Sequence, residues 1–574
     1  MKSFSQSTKK IQLTVIFLTY LIFAMIFGFA YRYAMNPDGI SLLRLAGYIA
    51  EGNFQQSVTH AWSPLMTWLF SPLIFLGFEG LTAARISIAL SGAGMLLCCW
   101  FMTLRFDLLQ NYRFIALLIA SLLISFWTIQ FIAADVLFAA LILCYLYLTT
   151  NPDILKNSKS PFFCGIVGGF SYLAHHYAFP FFLAHFPIIL FLRGYIDRNR
   201  KGFPLKKVLI SWGVGITGFF LIASIWVAVM SVKYGHFTIS IKGAVTHATL
   251  GPKGKGHPFF SGGLYKPKDA YAIHVFEDPS EVDFKTWSPF ESKEYFIHQL
   301  KLIKMNVNYI FKHFVRESPF FTYFFIVGTL SLIPIAFLLN PLNKKRKYLY
   351  SWVIITFSIY CSGFLLIIAR SPRRFYALMV VFLFLSLHFL EELKNGIGHI
   401  VTNRRKKFIT YYLLMIIVLA FALKPGIQFI KSIKTIITIN QINPYREIAE
   451  QIETIEFPSS YAIIRSAQKP HTDYYIAYFL KKQLLGRPIS TDVEGITKEL
   501  REANAKSLIV FDNLEIVEKL RKDKRYIHAG ALILENNNKY LNPINTKIDQ
   551  ITGWDKKVNI FLVKTAKVKS ILIY

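Results

Sequence analysis

The chain reads as a polytopic α-helical membrane protein that ends in a soluble α/β unit. Three observations predict this. The 574 residues are 54% hydrophobic and 16% aromatic, with a mean hydropathy of +0.41, which is a membrane composition rather than a soluble one. Apolar runs of spanning length recur from Ile11 to Leu423 and then stop. Basic residues gather in alternate short loops between those runs, the positive-inside pattern.

A membrane span needs roughly 20 apolar residues. The candidate runs are Ile11–Ala30, Ala83–Leu104, Phe114–Phe131, Val136–Thr149, Val208–Met230, Phe320–Leu339, Tyr350–Ala369, Phe375–Leu390 and Phe408–Leu423. Phe162–Leu192 is too long for one straight span. It breaks at His175-His176 and Pro180, which gives Phe162–Ala174 and Tyr177–Leu192. Ile11–Ala30 follows Lys2, Lys9 and Lys10 and exceeds a signal-peptide core, so it reads as an uncleaved first span. Pro64–Phe78 is decided by charge. If it does not cross, Arg105–Arg113, Lys156–Lys159, Arg193–Lys207, Lys344–Lys347 and Arg404–Lys407 all share the side of the N-terminus. It therefore reads as a helix in or dipping into the outer leaflet, and the total is about eleven spans.

This topology puts Tyr31–Ser63, Gln130–Asp135, His175-His176, Ser231–Ser318 and Arg370–Arg374 outside the cytoplasm, with everything after Lys424. Residues 1–423 then form the membrane unit, with a first outside loop at 31–63 and a long one at 231–318. Residues 424–574 form the soluble unit. There the pattern predicts helices at Pro444–Ile455, Asp473–Lys482, Thr497–Asn504 and Leu514–Arg521. Strands are expected at Tyr461–Ile464, Ser507–Phe511, Ile527–Leu534 and Val558–Val563, an alternation typical of α/β units.

The formal charge of +31 comes from 64 basic and 33 acidic residues. In a soluble protein it would suggest nucleic acid; here the charge lies in loops, where it sets topology and meets anionic lipid. No nucleic-acid motif is present. The five cysteines all lie in apolar segments, which excludes a disulfide framework and a cysteine zinc site.

The polar residues with chemical potential sit on the outside face. Asp38, beside Gly39, is the first acid after the first span. It precedes the run Ile40–Gly52 and an aromatic wall of Tyr48, Trp62 and Trp68. Helix capping is the bland explanation; a base that activates a hydroxyl is the sharp one. Asp-Gly here, Tyr48 and Ala50 on the next helix, then Trp62-Ser-Pro-Leu65 and Trp68, resembles the GT-C superfamily of membrane glycosyltransferases. Its protein O-mannosyltransferases and lipid A aminoarabinose transferase are the subgroups this pattern is most similar to. The resemblance covers about two-thirds of the chain, and the expected count of about eleven spans agrees with it.

The resemblance implies a polyprenyl-phosphate sugar as donor and Asp38 as the catalytic acid of the first loop. Asp135, at the outer end of a hairpin, is an ionisable residue near membrane depth and so a site candidate, with an N-cap as its bland explanation. GT-C relatives often carry a second acid there. Ala133-Ala134-Asp135 lacks the Asp-x-Asp of the metal-dependent members, so no metal is expected. His175 and His176 occupy a turn where relatives often have a basic residue near the donor phosphate. As adjacent helix residues they make poor joint metal ligands. Arg370-Ser-Pro-Arg-Arg-Phe-Tyr376 opposes the positive-inside trend. Arg373 and Arg374 can clamp a phosphate, against the alternative of snorkelling.

In the long loop, Gly254-Lys-Gly256 lacks the Walker spacing and is rejected as a phosphate loop. Glu277, Asp278 and Trp287, with Tyr48 and Trp62, are candidates to hold a sugar by hydroxyl bonding and stacking; a structured cover is the alternative. No Gly-x-Gly-x-x-Gly occurs in the C-terminal unit, so no cofactor is assigned.

The expected activity is transfer of a sugar to a protein, lipid or polysaccharide acceptor at the outer face of a bacterial inner membrane, with inversion. Asp38 would be the base, Asp135 would orient a substrate, and Arg373 and Arg374 would balance the departing phosphate. Two competing classes are a flippase for lipid-linked sugars and a non-catalytic polysaccharide assembly subunit. No inverted repeat or matched pair of broken helices supports the first.

Overall fold

The computed structural model describes residues 2–106, 108–198, 202–252, 262–269, 271–312, 344–368, 370–400, 444–454, 457–464, 472–511, 513–532, 539–541, 548–550 and 558–563. The expected spans Phe320–Leu339 and Phe408–Leu423 lie outside the described residues.

Long apolar helices dominate. In chain order they are α1 (Lys2–Ala30), α2 (Pro37–Ala50), α3 (Phe54–Ser57), α4 (Leu65–Phe75), α5 (Gly80–Thr103), α6 (Gln110–Gln130), α7 (Asp135–Thr149), α8 (Lys159–Ala174), α9 (Ala178–Ile196) and α10 (Leu205–Tyr234). Then come α11 (Lys242–Ala248), α12 (Lys293–Lys312), α13 (Lys344–Leu366) and α14 (Tyr376–Ile400). Among the described residues six helices are long and apolar enough to cross a membrane: Lys10–Ala30, α5, α6, α9, α10 and α13. The protein is an integral membrane protein. The helix α4 has 11 residues with Pro72 inside it. At about 1.5 Å per residue it is far shorter than a bilayer core of about 30 Å.

Two features set how the helices meet. Gly165 and Gly169 of α8 lie against α10, at Gly215 and at Phe219 and Ile222, and Gly218 of α10 lies against Phe162 of α8. A Cβ on Gly165 would collide with the Gly215 carbonyl, and one on Gly218 would lie 2.5 Å from the Phe162 carbonyl. Small residues on both helices thus allow backbone contact, as is common in membrane bundles. At one end of the bundle, Tyr348 at the start of α13 donates to the Thr149 carbonyl at the end of α7 (2.7 Å), and Trp352 Nε1 donates to Thr149 Oγ1 (3.1 Å).

The turns that follow α1, α6, α8, α10 and α13 gather at the opposite end. Arg85, at the start of α5, donates to the carbonyls of Ala34 (2.6 Å) and Ile129 (2.9 Å), fastening the ends of α1 and α6. The Ile241 amide donates to the His60 carbonyl (2.9 Å), and Ser63 donates to the Tyr172 carbonyl (3.1 Å).

The C-terminal segment sits on that same end. It adds helices α15 (Pro444–Glu453), α16 (Thr472–Leu480), α17 (Val493–Glu502) and α18 (Leu514–Lys522). The strands are β1 (Gly263–Leu264), β2 (Ser460–Ile464), β3 (Gln483–Arg487), β4 (Ser507–Val510), β5 (Tyr526–Leu532) and β8 (Val558–Val563), with β6 (Lys539–Leu541) and β7 (Ile548–Gln550) as a separate pair. The main sheet runs β1-β3-β2-β4-β8-β5. Its centre, β3, β2 and β4, is parallel, and its outer pairings are antiparallel. The sequence pattern misses β3, because Gln-Leu-Leu-Gly-Arg has no alternation and Gly486 sits at φ +119°.

That glycine explains an unexpected feature. The edge strand β1 comes from the long loop, so the sheet is not built from the C-terminal segment alone. Gly263 pairs opposite Arg487 and Leu264 opposite Gly486. A Cβ on Gly486 would collide with the Gly263 carbonyl, so only glycine admits this approach. The Leu484 amide also donates to the Ile273 carbonyl (2.7 Å), and Tyr475 of α16 donates to the Met35 carbonyl (3.4 Å). The sheet, the long loop and the first loop are therefore mutually fastened.

Candidate functional site

The site begins with Asn36-Pro-Asp-Gly39. Asn36 is the N-cap residue of α2, but its side chain does not cap. It accepts from the Ile132 amide (2.8 Å) and donates to the Ile132 carbonyl (3.3 Å). Gly39 lies against the same residue: a Cβ there would stand 2.6 Å from Ile132 Cβ. Asparagine and glycine thus bring the first loop onto the α6–α7 turn. Asp38 follows Pro37 in the first turn of α2, and Asp135 is the first residue of α7. Neither fills an N-cap position, so capping does not account for either carboxylate, although both gain from the positive end of a helix.

Arg373 joins them. It lies in the 3₁₀ turn Pro372–Phe375 between α13 and α14. Its Nη2 donates to Asp38 Oδ2 in a short ion pair. Its Nε stands 3.5 Å from Asp135 Oδ2, and its guanidinium lies 4.6 Å above the Phe131 ring. Nη1 is buried and has no hydrogen-bond partner among the described residues. Burial works against the charge on Arg373, but Asp135 and Asp38 outweigh it and hold the guanidinium firmly protonated.

Arg374 is directed differently. Its Nη1 donates to the Ile368 carbonyl (3.0 Å), and its own carbonyl accepts from Tyr360 (2.6 Å). It still acts electrostatically on both Asp38 and Asp135. Lys242 completes the group and was not singled out from the sequence. It opens α11, with Nζ 3.7 Å above the Trp62 ring. Burial pushes its pKa down to about 8, against the pull of Asp38 and with the push of Arg374 and Arg373. Burial alone would raise the Asp38 pKa, but Arg373, Lys242 and Arg374 together bring it below the usual carboxylate range. Three cations therefore face two carboxylates.

His175 and His176 form the turn between α8 and α9. Burial, with Arg374 the first of the nearby charges, pushes His175 well below the ordinary histidine range. Burial and Lys242 bring His176 down to about 3. His175 stacks on Phe138 (4.9 Å), and its Nδ1 accepts from the Tyr177 amide (3.1 Å). Both rings are neutral at pH 7, so either reaches an anion only as a neutral N–H donor.

The remaining candidates fasten the long loop to the first loop and to α2, α10 and α11. Tyr48 donates to Glu277 Oε2 (2.5 Å) and to the Tyr271 carbonyl (2.8 Å). Glu277 Oε1 accepts from the Ile273 amide (3.2 Å) and lies 3.6 Å from Arg44 Nε. Burial raises the Glu277 pKa to about 6, with Arg44 and Tyr48 opposing. Trp62 Nε1 donates to the Phe276 carbonyl (3.3 Å). Asp278 accepts from Tyr234 in a short bond and from the Ser280 amide (3.2 Å), capping a 3₁₀ turn. Trp287 donates to the His247 carbonyl (2.8 Å) and stacks on its ring (4.1 Å). That contact holds the C-terminal end of α11, whose other end carries Lys242. Among the described residues no cluster of three or more His, Cys, Asp or Glu side chains could hold a metal ion.

No protein-family model matches the chain, and no curated protein matches it. Solved structures do. ArnT from Cupriavidus metallidurans bound to undecaprenyl phosphate superposes with a TM-score of 0.50 at 10% identity, over 98% of this chain and 99% of that one. ArnT from the same organism in the apo state gives 0.40 at 11% identity, over 97% and 98%. The arabinofuranosyltransferase AftD from Mycobacteria gives 0.38 at 11% identity, over 96% of this chain and 40% of that one. At these identities the first comparison establishes a shared fold along the whole length.

Proposed function

From a chain with the fold of the GT-C membrane glycosyltransferases, we propose a transferase that moves a sugar from a polyprenyl-phosphate donor to an acceptor hydroxyl or amine at the extracytoplasmic face. The observation that carries this reading is Arg373 bridging Asp38 and Asp135, with Arg374 and Lys242 beside it. A sugar–phosphate bond already has a good leaving group once its charge is balanced. The site then needs a base and a cationic clamp, not the acid–base pair of a glycosidase. The surplus cation suits a phosphate that gains negative charge as it departs.

In this mechanism Asp38 accepts the acceptor proton while the acceptor attacks C1 opposite the phosphate, giving inversion. Asp135 orients the acceptor or the sugar. Arg373 starts on Asp38, which holds the carboxylate ionised but makes it a weak base. The donor phosphate competes for the same guanidinium and meets the unpartnered Nη1. As Arg373 turns to the phosphate, Asp38 regains basicity where it is needed. Donor binding thus prepares the base. Lys242 and Arg374 supply the remaining charge, and His175 and His176 supply neutral N–H groups.

The acceptor is a protein, lipid or polysaccharide of the cell envelope. The membrane is the bacterial inner membrane, and the acceptor side is periplasmic. The test is to incubate the purified protein in lipid with a polyprenyl-phosphate sugar and envelope acceptors. Release of polyprenyl phosphate coupled to acceptor glycosylation is expected, and it should survive a strong chelator. Movement of intact donor across the bilayer without cleavage would replace the transferase with a flippase.

A further inference from the structure

The sheet contains a second concave site, away from Asp38. From β2 the chain passes through α16 to β3 on one side. From β3 it passes through α17 to β4 on the other side of β2. The parallel strands β3, β2 and β4 therefore reverse direction of winding at β2. In open α/β sheets, ligands bind outside the carboxyl ends of the strands at such a switch point. A cleft of about 350 Å³ lies there, inside the usual range of small-molecule sites, roughly 300–1,000 Å³.

The lining indicates the chemistry. Ile463 and Ile464 at the end of β2, with Ile516 of α18, give an apolar floor. Arg487, Thr491, Asn513 and Glu515 give a polar rim. The rim is organised in advance. Glu499 accepts from the backbone amides of Ile489 and Ser490 (both 2.8 Å) and from the Ser490 hydroxyl, which fixes the loop after β3. Asn513 caps α18 through Oδ1, accepting from the Ile516 amide (3.1 Å), and its amide NH₂ donates to no group among the described residues. A phosphate is disfavoured. Glu515 stands in the first turn of α18, where an anion would otherwise be drawn, and Arg487 lies 3.4 Å from Asp473. An apolar floor with amide, hydroxyl and carboxylate groups around it matches a sugar, whose CH face is apolar and whose hydroxyls both donate and accept.

We propose that this switch-point cleft is a carbohydrate-binding subsite. Its reading as the place where a glycan portion of the acceptor is held rests on the transferase function above. The fold connects the two places: α16 begins beside the cleft, with Asp473 paired to Arg487, and docks through Tyr475 on the Met35 carbonyl just ahead of Asp38.

The experiment uses the full chain in lipid nanodiscs on an array of neutral oligosaccharides, with inorganic phosphate and ADP as competitors. Two variants separate packing from recognition. Thr491→Trp fills the rim. Asn513→Asp keeps the cap, since Asp caps as well as Asn, but removes the amide donors. Oligosaccharide binding should weaken at least tenfold in Thr491→Trp and severalfold in Asn513→Asp, with phosphate and ADP failing to compete. Transfer to a small soluble acceptor should be unchanged in both. Asp38→Asn should bind the same oligosaccharides as the native protein, so failure of the transferase reading leaves this test intact. No bound oligosaccharide, equal binding by both variants, or displacement by phosphate would each overturn the subsite.

Discussion

Two buried charge networks meet the same short helix, α2, one towards its last turn and the other at its first. In one, Glu277 receives Tyr48, the Ile273 amide and Arg44; one acid meets one base and both carboxylate oxygens are occupied. In the other, Asp38 and Asp135 share Arg373 with Arg374 and Lys242 close by, and a buried guanidinium N–H has no partner among the described residues. The first network is closed in charge and holds the long loop against α2, although Arg44 Nε is likewise buried with no hydrogen-bond partner among the described residues. The second carries surplus positive charge, with Arg373, Arg374 and Lys242 against Asp38 and Asp135. Burial and charge type alone do not distinguish the two; the balance of partners does.

That contrast can be broken most directly at Asp38. Asp38→Asn preserves size but removes the proton acceptor and, with it, the negative charge paired with Arg373. Transfer should fall roughly 10²–10⁴-fold, the usual worth of a general base, while the protein accumulates in the membrane as before. A fully active variant would falsify the central assignment and move the search to Asp135.

The next largest effect is expected at Arg373. Losing a charge-assisted contact costs roughly 1.5–3 kcal/mol, which is about ten- to a hundredfold in rate. Arg373→Ala should therefore weaken donor use by that factor. It should also free Asp38 before the donor arrives, so that acceptor binding no longer depends on donor. If acceptor affinity in the native protein is the same with and without polyprenyl phosphate, Arg373 does not prepare the base.

Glu277→Gln sharpens the comparison from the closed side. Transfer per folded molecule should drop less than about tenfold, and thermal stability should carry the main change. The Glu277 pKa is raised in the folded state to about 6 from 4.5. The folded protein therefore holds the proton longer, and stability contributed by this group declines as pH rises from about 4.5 to about 6. Melting curves of the native protein should show that decline and those of Glu277→Gln should lack it. A parallel pH dependence in both would remove Glu277 from the account.

The smallest effect concerns Lys242, whose pKa near 8 places its loss of charge inside the accessible range. The kcat/KM profile reports the free enzyme and should fall as pH rises through about 8. Lys242→Arg should keep most activity at pH 7 and carry that limb upward. An unmoved limb would assign it to another group.

Much of this was legible in the chain before folding. Periodic apolar runs located the helices, because lipid demands continuous apolar surface and internal backbone bonding. Asp135 stood out because an ionisable group near membrane depth is costly to place, Asp38 as the first acid after the first span, and Arg373 because it opposes the positive-inside trend. In the C-terminal segment, predicted strands such as Val558–Val563 coincide with the observed β8. What the chain could not disclose were partnerships across long separations. Nothing local to Ile241-Lys242-Gly243 indicates that the amine enters the site; His60 and Trp287 place α11 there from distant loops. Tyr48 and Glu277 looked like sugar-binding groups by type, yet tertiary contact gives them to each other. The β1–β3 edge depends on two glycines more than two hundred residues apart, which no window of sequence can join. Sequence determined the lipid-facing periodicity and the inventory of charges, both local properties of a chain in an apolar solvent. Only the tertiary structure decided which charges neutralise one another and which are left in surplus, because that balance exists between elements and not within any of them.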